Sequence, residues 1–398
     1  MIDAGIVGAG PAGTLAAKTI ASQGYDVHVF EEHKKIGRPN HCSGMISVEG
    51  LKLLGLNTDS SFIQNSIYGG RIYSIEGEYI EVKDSRVRAF ILDREKFDNE
   101  LASRALDLGV HYHLSSRVEK LTISPGGNTT LLFKDSSMVS KLLIDAEGPG
   151  GRLLRRSGLD TNQQGLLTGF NVEVEGVEMN PEIVELWFDH EKFHGFFAWV
   201  IPLGEGKARC GLASSRGDGH EQLKTFVENR FDLHKIPVYR SGLVCAGGPI
   251  KKTFYDGLMI VGDAAGQVKP TTGGGVVLGG LCGVAAGETA IESLVSEDYS
   301  SNKLREYEVN WRKAYGGEFQ AMLALRLMMN RLNDKLFTRT LRSFKEHGIE
   351  NKLQKLVESG DMDMQSGVIR NALFDPGILV VLLKSIGSIA LKELLSIF

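Results

Sequence analysis

Early in the chain stands Gly8-Ala9-Gly10-Pro11-Ala12-Gly13, with an acid, Glu31, closing the next apolar run. Each part suits a dinucleotide. Gly8 permits a tight turn, Gly10 lets the backbone approach a pyrophosphate at a helix N-terminus, Gly13 lets helix and strand pack closely, and Glu31 accepts hydrogen bonds from a ribose. A second motif, Leu143-Ile144-Asp145-Ala146-Glu147-Gly148, runs from an apolar strand into a turn. The third is Gly262-Asp263-Ala264-Ala265-Gly266, followed by Pro270 and Gly273-Gly274-Gly275, and it leads into a small-residue helix. Asp263 suits capping or a sugar hydroxyl, and the N–H groups of the glycine-led helix start suit a pyrophosphate or an anionic ring edge. Together the three motifs describe one dinucleotide held from both ends.

Other residues bear on chemistry beside it. Arg94, within Leu92-Asp93-Arg94-Glu95-Lys96-Phe97-Asp98, follows a strand-like run and offers a planar donor to a phosphate or ring oxygen; the alternative is a solvated helix-start arginine. Cys42, next to His41, is either a thiol made reactive by a neighbouring imidazolium or a small residue shaping its loop. Between Trp187 and Trp199 the rings Trp187, Phe188, Phe193, Phe196, Phe197 and Trp199 crowd together, a density expected to line an apolar cavity rather than to fill an ordinary sheet core.

The elements that must position these residues are read from pattern. Residues 4–8 form a strand, 11–23 a helix and 26–31 a second strand, a βαβ start with Gly24 placed as a C-cap. A helix is expected around 91–108, strands near 110–114, 117–124, 129–134 and 142–146, and alternation from about 165 to 244 implies a separate sheet layer. Strand 258–261 runs into helix 279–295. Beyond about 298 everything reads as helix, broken at Gly316, Gly348, Gly360 and Pro376.

Composition narrows the classes. The 398 residues are 42% hydrophobic with a formal net charge of −4, which excludes global disorder and gives no bulk attraction to nucleic acid. Cys42, Cys210, Cys245 and Cys282 lie far apart with no C-x-x-C pair, so neither a cysteine zinc site nor a disulfide scaffold is expected, and no metal is assigned. The N-terminus lacks a secretory pattern, and no unbroken apolar run of spanning length is seen. A cytoplasmic protein is expected. In the tail from Gly377, Lys384, Ser388, Lys392 and Ser396 form a narrow polar stripe, which fits a helix docked on the protein or one resting on a bilayer as a peripheral contact.

The order of the three glycine motifs resembles the para-hydroxybenzoate hydroxylase type of FAD protein, and more closely the geranylgeranyl reductase family. Two features carry the closer likeness: Gly37-Arg38-Pro39-Asn40-His41-Cys42-Ser43-Gly44 resembles that family's G-x-P-x-x-C loop, and Phe197-Ala198-Trp199-Val200-Ile201-Pro202 its Y-x-W-x-F-P motif. Phe197 and Ile201 depart from the family's Tyr and Phe, while Glu147 and Gly151 stand where relatives carry Asp and Ser. The resemblance covers about residues 1–295. It implies FAD contacts at Gly13, Glu31, Cys42, Ser43, Arg94, Val118, Asp263, Gly275 and Val276, added to Gly8 and Gly10, and a substrate wall at Phe197, Trp199 and Ile201.

The expected fold is therefore α/β: a Rossmann-type FAD-binding domain (1–60, 91–160 and 250–297), an inserted β-rich substrate domain (61–90 and 161–249) and a helical C-terminal region (298–398). The resemblance implies an FAD-dependent reductase that saturates C=C bonds of a polyprenyl lipid or its isoprenoid precursor, with water or Cys42 as proton donor. Alternatives are a flavin monooxygenase or halogenase, a flavoprotein passing electrons to quinone, and a non-catalytic lipid carrier. No second G-x-G-x-x-G appears, so the electron donor stays open among NADPH, ferredoxin and other carriers.

Overall fold

The computed structural model describes residues 1–124, 126–159, 161–233 and 239–387. Ser388, Lys392 and Ser396 of the tail stripe lie outside the described residues. The chain divides into two compact units: Met1–Asn40 with Arg94–Leu166 and Cys245–Phe319, and His41–Asp93 with Leu167–Val244 and Gln320–Phe398. Cys42 and Ser43 thus sit in the second unit, as do the helices after Phe319.

In the first unit a sheet runs in the order Phe254–Tyr255, Leu258–Ile260, Ser137–Asp145, Ile2–Val7, Val27–Phe30, His111–His113, with Thr129–Leu132 and Lys120–Ile123 paired beyond Ser137–Asp145. The strands from Leu258–Ile260 to His111–His113 are mutually parallel. Both faces of such a sheet are covered, and the strands read as near-continuous apolar runs; Ile2–Val7 is buried at five of its six positions, all but Asp3. Helix Pro11–Ala21 follows the first strand, with Pro11 at its first position, where its missing N–H is no loss.

Helix Val276–Ser296 packs against Pro11–Ala21 backbone to backbone. A Cβ on Gly283 would meet the Ala12 carbonyl, and one on Gly287 would lie 2.9 Å from the Ala16 carbonyl oxygen. By length and composition the helix is apolar enough to cross a membrane, its Val, Leu and Ile outweighing Glu288 and Glu292, which break the apolar run. However, 61% of that stretch is buried inside the protein.

The second unit holds a seven-stranded sheet, in the order Arg240–Cys245, Leu166–Glu175, Lys207–Ser214, Ala198–Gly204, Ile183–Phe188, Gly69–Ser74, Tyr79–Lys83, and a three-stranded one of Met45–Ser47, Ala89–Leu92 and Ile63–Ile67. Two expectations are corrected here. Ile91 and Leu92 belong to a strand, and the helix expected from 91 begins only at Arg94. Gly316 does not break its helix, which runs unbroken from Ser301 to Arg331, since a single glycine costs only about 1 kcal/mol against alanine.

Candidate active site

Four parallel strands of the first unit end in register, Val7 beside Phe30 and Asp145, and Asp145 beside Ile260. All three motifs therefore leave the sheet at one carboxyl edge, the place where open α/β sheets bind ligands. Gly8 turns there with φ +98°, and a Cβ would collide with the Ala146 carbonyl. Gly13 has no room either, because a Cβ would strike the Gly8 carbonyl and lie 3.2 Å from Ile6. Gly10 is different: a Cβ there would meet no protein atom within 4 Å. That space, at the N-cap of Pro11–Ala21, is what a pyrophosphate approach requires. Glu31 leans back toward the turn, its Oε2 accepting from the Ala9 N–H at 2.9 Å.

The third motif closes the same edge. Gly262–Ala265 forms a single 3-10 turn that ends at Gly266 with φ +66°. Gly275 caps helix Val276–Ser296, and a Cβ on it would lie 2.5 Å from the Asp263 carboxylate. Burial pushes the Asp263 carboxyl up to about 6, against the opposing pull of the Arg94 guanidinium. Arg94 is not the solvated arginine of the alternative reading; it grips Asp98 with two bonds, of 3.0 and 2.9 Å. Val118 is buried in the core with Val7, Phe30 and Leu153.

Further residues complete this edge, Gln163 and Lys269 from outside the motifs and Asp145 from the second. Gln163 donates to the Asp263 carbonyl at 2.6 Å and accepts from the Gly150 N–H at 2.9 Å, locking two of the loops together. Lys269 is buried beside Gly274. Asp145 is wholly buried at the end of its strand, and burial together with the neighbouring Glu147 raises its carboxyl well above the ordinary range.

In the second unit Trp199, Asn171 and Gly211 lie side by side on three adjacent strands. The Trp199 indole donates to Asn171 Oδ1 at 3.0 Å, while Asn171 Nδ2 donates to the His41 carbonyl at 2.5 Å. Gly211 must lack a side chain, since a Cβ would fall 2.5 Å from the Trp199 ring. Buried Arg209 reaches the same loop, donating to the Ser43 carbonyl at 2.8 Å and binding Glu173 twice. Gly44, with φ +78°, leaves room for that guanidinium. The loop carrying Cys42 and Ser43 is thus tied to the strand carrying Trp199. Cys42 is partly exposed and in no disulfide, its Sγ accepting from the Gly44 N–H at 3.4 Å.

The aromatic crowd divides. Phe197 and Trp199 meet edge to face at 6.1 Å, Phe196 stacks on Phe197 at 4.3 Å, and Phe188 joins them at 5.3 Å. Trp187 and Phe193 instead pack on Phe226 on the opposite face, with Ala198 and Val200 in the core there. Strand alternation is the cause: Trp187 and Phe188 are neighbours in sequence and point to opposite sides. The expectation that all six rings share one wall is corrected: Phe188, Phe196, Phe197 and Trp199 gather on one side, Trp187 and Phe193 on the other. Arg326, which the sequence did not mark, is buried with its guanidinium 4.2 Å from the Phe196 ring centre and donates to the Gly195 carbonyl; burial lowers it to about 10.

Comparison with known proteins adds a family. Residues 3–345 match the family model described as lycopene cyclase protein. A digeranylgeranylglycerophospholipid reductase of Methanosarcina acetivorans is 34% identical over 363 residues, 87% of this chain and 89% of that protein. Among solved structures, a geranylgeranyl bacteriochlorophyll reductase-like protein from Thermoplasma acidophilum superposes with a TM-score of 0.82 at 23% identity, covering 100% of this chain and 99% of the other. A flavin-dependent brominase gives 0.70 at 18% identity, covering 94% and 98%. These two likenesses establish a shared fold.

Proposed function

The chain belongs to the digeranylgeranylglycerophospholipid reductase family, within the reach of the lycopene cyclase model, and on that premise we propose that it is an FAD-dependent reductase saturating C=C bonds in the geranylgeranyl chains of a membrane lipid or its precursor. The observation that carries the substrate side is the buried face of Phe197, Trp199 and Ile201, bound through Asn171 to the loop of Cys42 and Ser43. A wall of that composition holds an extended apolar chain and offers it few hydrogen bonds.

FAD fits the residues of the first unit. The open space at Gly10 and the N–H groups opening Pro11–Ala21 suit the pyrophosphate, Glu31 the ribose, and Asp263, Gly275, Val276 and Arg94 the opposite end, with Gly8 and Gly13 holding the turn and the Val118 backbone beside it. When bound and reduced, FAD would supply a hydride, and water or the Cys42 thiol would supply the proton that completes addition of two hydrogens across the alkene. Isolated alkenes are weak electrophiles, so the protein's part is to exclude water and to hold the chain in line. The brominase likeness is one of fold, and halogenation or oxygenation would need oxygen as co-substrate.

Anaerobic incubation of the dithionite-reduced protein with geranylgeranyl lipids tests this reading. Mass spectrometry should find products heavier by two hydrogens per saturated bond. Unchanged lipid, with oxygenated or halogenated products appearing only in air, would replace the reductase by the monooxygenase reading.

A further inference from the structure

On the last strand pair of the first-unit sheet, Asp26-Val27-His28-Val29-Phe30 runs beside His111-Tyr112-His113, with His28 opposite His111 and Phe30 opposite His113. Side chains alternate along strands, so Asp26, His28 and Phe30 share one face with His111 and His113. The rings confirm it: His28 lies 4.7 Å from His111 and 5.0 Å from His113, centre to centre. None of these groups belongs to the flavin site described above.

The separations are those of a coordination shell. Asp26 Oδ1 is 3.0 Å from His28 Nε2 and 3.9 Å from His111 Nε2, and the three atoms lie within 4.8 Å of one another. A tetrahedral ion with bonds of about 2.0–2.1 Å sets its ligands roughly 3.3 Å apart. His111, with 62% of its side chain exposed, is free to close the remaining gap. Behind them, His28 Nδ1 meets His113 Nε2 at 2.8 Å. With the Nδ1 hydrogen directed to His113, the His28 Nε2 lone pair faces the Asp26 carboxylate 3.0 Å away, and a cation can bridge the two. His113 in turn stacks on Phe30 at 4.9 Å, which holds its ring behind His28. Asp3 accepts from the Asp26 N–H at 3.0 Å and pairs with Lys141, which fixes the carboxylate's end of the strand.

We propose that Asp26, His28 and His111 bind a divalent transition-metal ion of the zinc type, with His113 positioning His28 and water completing the shell. Aspartate oxygen and imidazole nitrogen are the donors such an ion takes, and the outer hydrogen bond fixes the ligand's tautomer. The ion pins the edge strand His111–His113 to its neighbour. Because the Glu31 N–H donates to the His113 carbonyl at 2.9 Å, the same pinning steadies the residue placed at the ribose end of the dinucleotide site.

The test uses the full chain free of any affinity tag, stripped with a chelator and titrated with zinc against a chromophoric chelator. One equivalent should bind and raise the melting temperature. His111→Ala should remove both effects while melting like wild type in the chelator, Asp26→Asn should do the same, and His113→Ala should weaken binding about tenfold or more. Cys42→Ser should leave zinc affinity unchanged, since Cys42 is not among the proposed ligands. Absence of stoichiometric binding by the wild type, or its survival in both His111→Ala and Asp26→Asn, overturns the site.

Discussion

At the carboxyl edge of the parallel sheet, Gly8, Gly13 and Gly262 let loops pack closely by lacking side chains, whereas on the seven-stranded sheet Trp199, Asn171 and Arg209 interlock by reaching across strands. The first is fixed by backbone: a positive φ at Gly8, a close approach at Gly13, open space at Gly10. The second is fixed by register, since Asn171, Gly211 and Trp199 meet only because three strands align. A side-chain wall can be retuned, and this chain's Phe197 and Ile201 depart from the resembled motif there.

The largest expected effect separates the two kinds of glycine at the carboxyl edge. Gly13→Val should abolish both folding and flavin retention, because its Cβ strikes the Gly8 carbonyl and the side chains of Ala146 and Ile6. Gly10→Val should melt like wild type yet retain no FAD, because its side chain enters only the space assigned to the pyrophosphate. Normal flavin content in Gly10→Val would show that the cofactor lies elsewhere.

Next comes the wall. Trp199→Ala should cost about 3–5 kcal/mol, the range for truncating a large buried ring, and should leave the Asn171 carbonyl without its donor. In the protein that survives, prenyl chain-length preference should broaden. The same stability loss with unaltered specificity would make Trp199 plain core and remove the main support for a long apolar substrate.

Asp263 couples the carboxyl edge to pH. Its folded value of about 6 stands above the ordinary 3.8, so between these values the folded state binds more protons than the unfolded one. Stability should therefore fall as pH rises through that window, by about 3 kcal/mol at most. Asp263→Asn, melted without flavin, should gain more over wild type at about pH 8 than at about pH 4. Equal gains at both would show that the carboxyl is not raised.

The smallest effect concerns Cys42. Cys42→Ser should leave melting and FAD content unchanged, since the partly exposed thiol fills no core position. Slower single-turnover alkene reduction would assign it the proton or the chain's placement, and an unchanged rate would leave it as a loop residue with water as donor.

How much of this was legible in sequence follows from the same contrast. The turn at Gly8 and the close approach at Gly13 were readable because a positive φ and a contact with no room for a Cβ admit glycine alone, so the local string carries the geometry. The pairing of Phe197 with Trp199 was readable from strand period. Asn171, Arg209 and Gln163 were not, because their roles depend on strand neighbours distant in sequence. The six-ring cluster misled for that reason: proximity in sequence places Trp187 beside Phe188, and the pleat sends them apart. The pattern Asp26-Val27-His28 with His111-Tyr112-His113 was present too, yet it becomes a metal-ligating set only once the two strands pair in register.

Reduction itself can be watched most directly in the flavin. The protein is reduced without oxygen, freed of excess reductant and mixed with a geranylgeranyl lipid while flavin absorbance is followed. The expected result is a return of the oxidised spectrum on adding lipid, with one pair of hydrogens gained by the lipid for each flavin reoxidised. A spectrum that stays reduced with every prenyl lipid and recovers only on admitting oxygen would contradict a polyprenyl reductase.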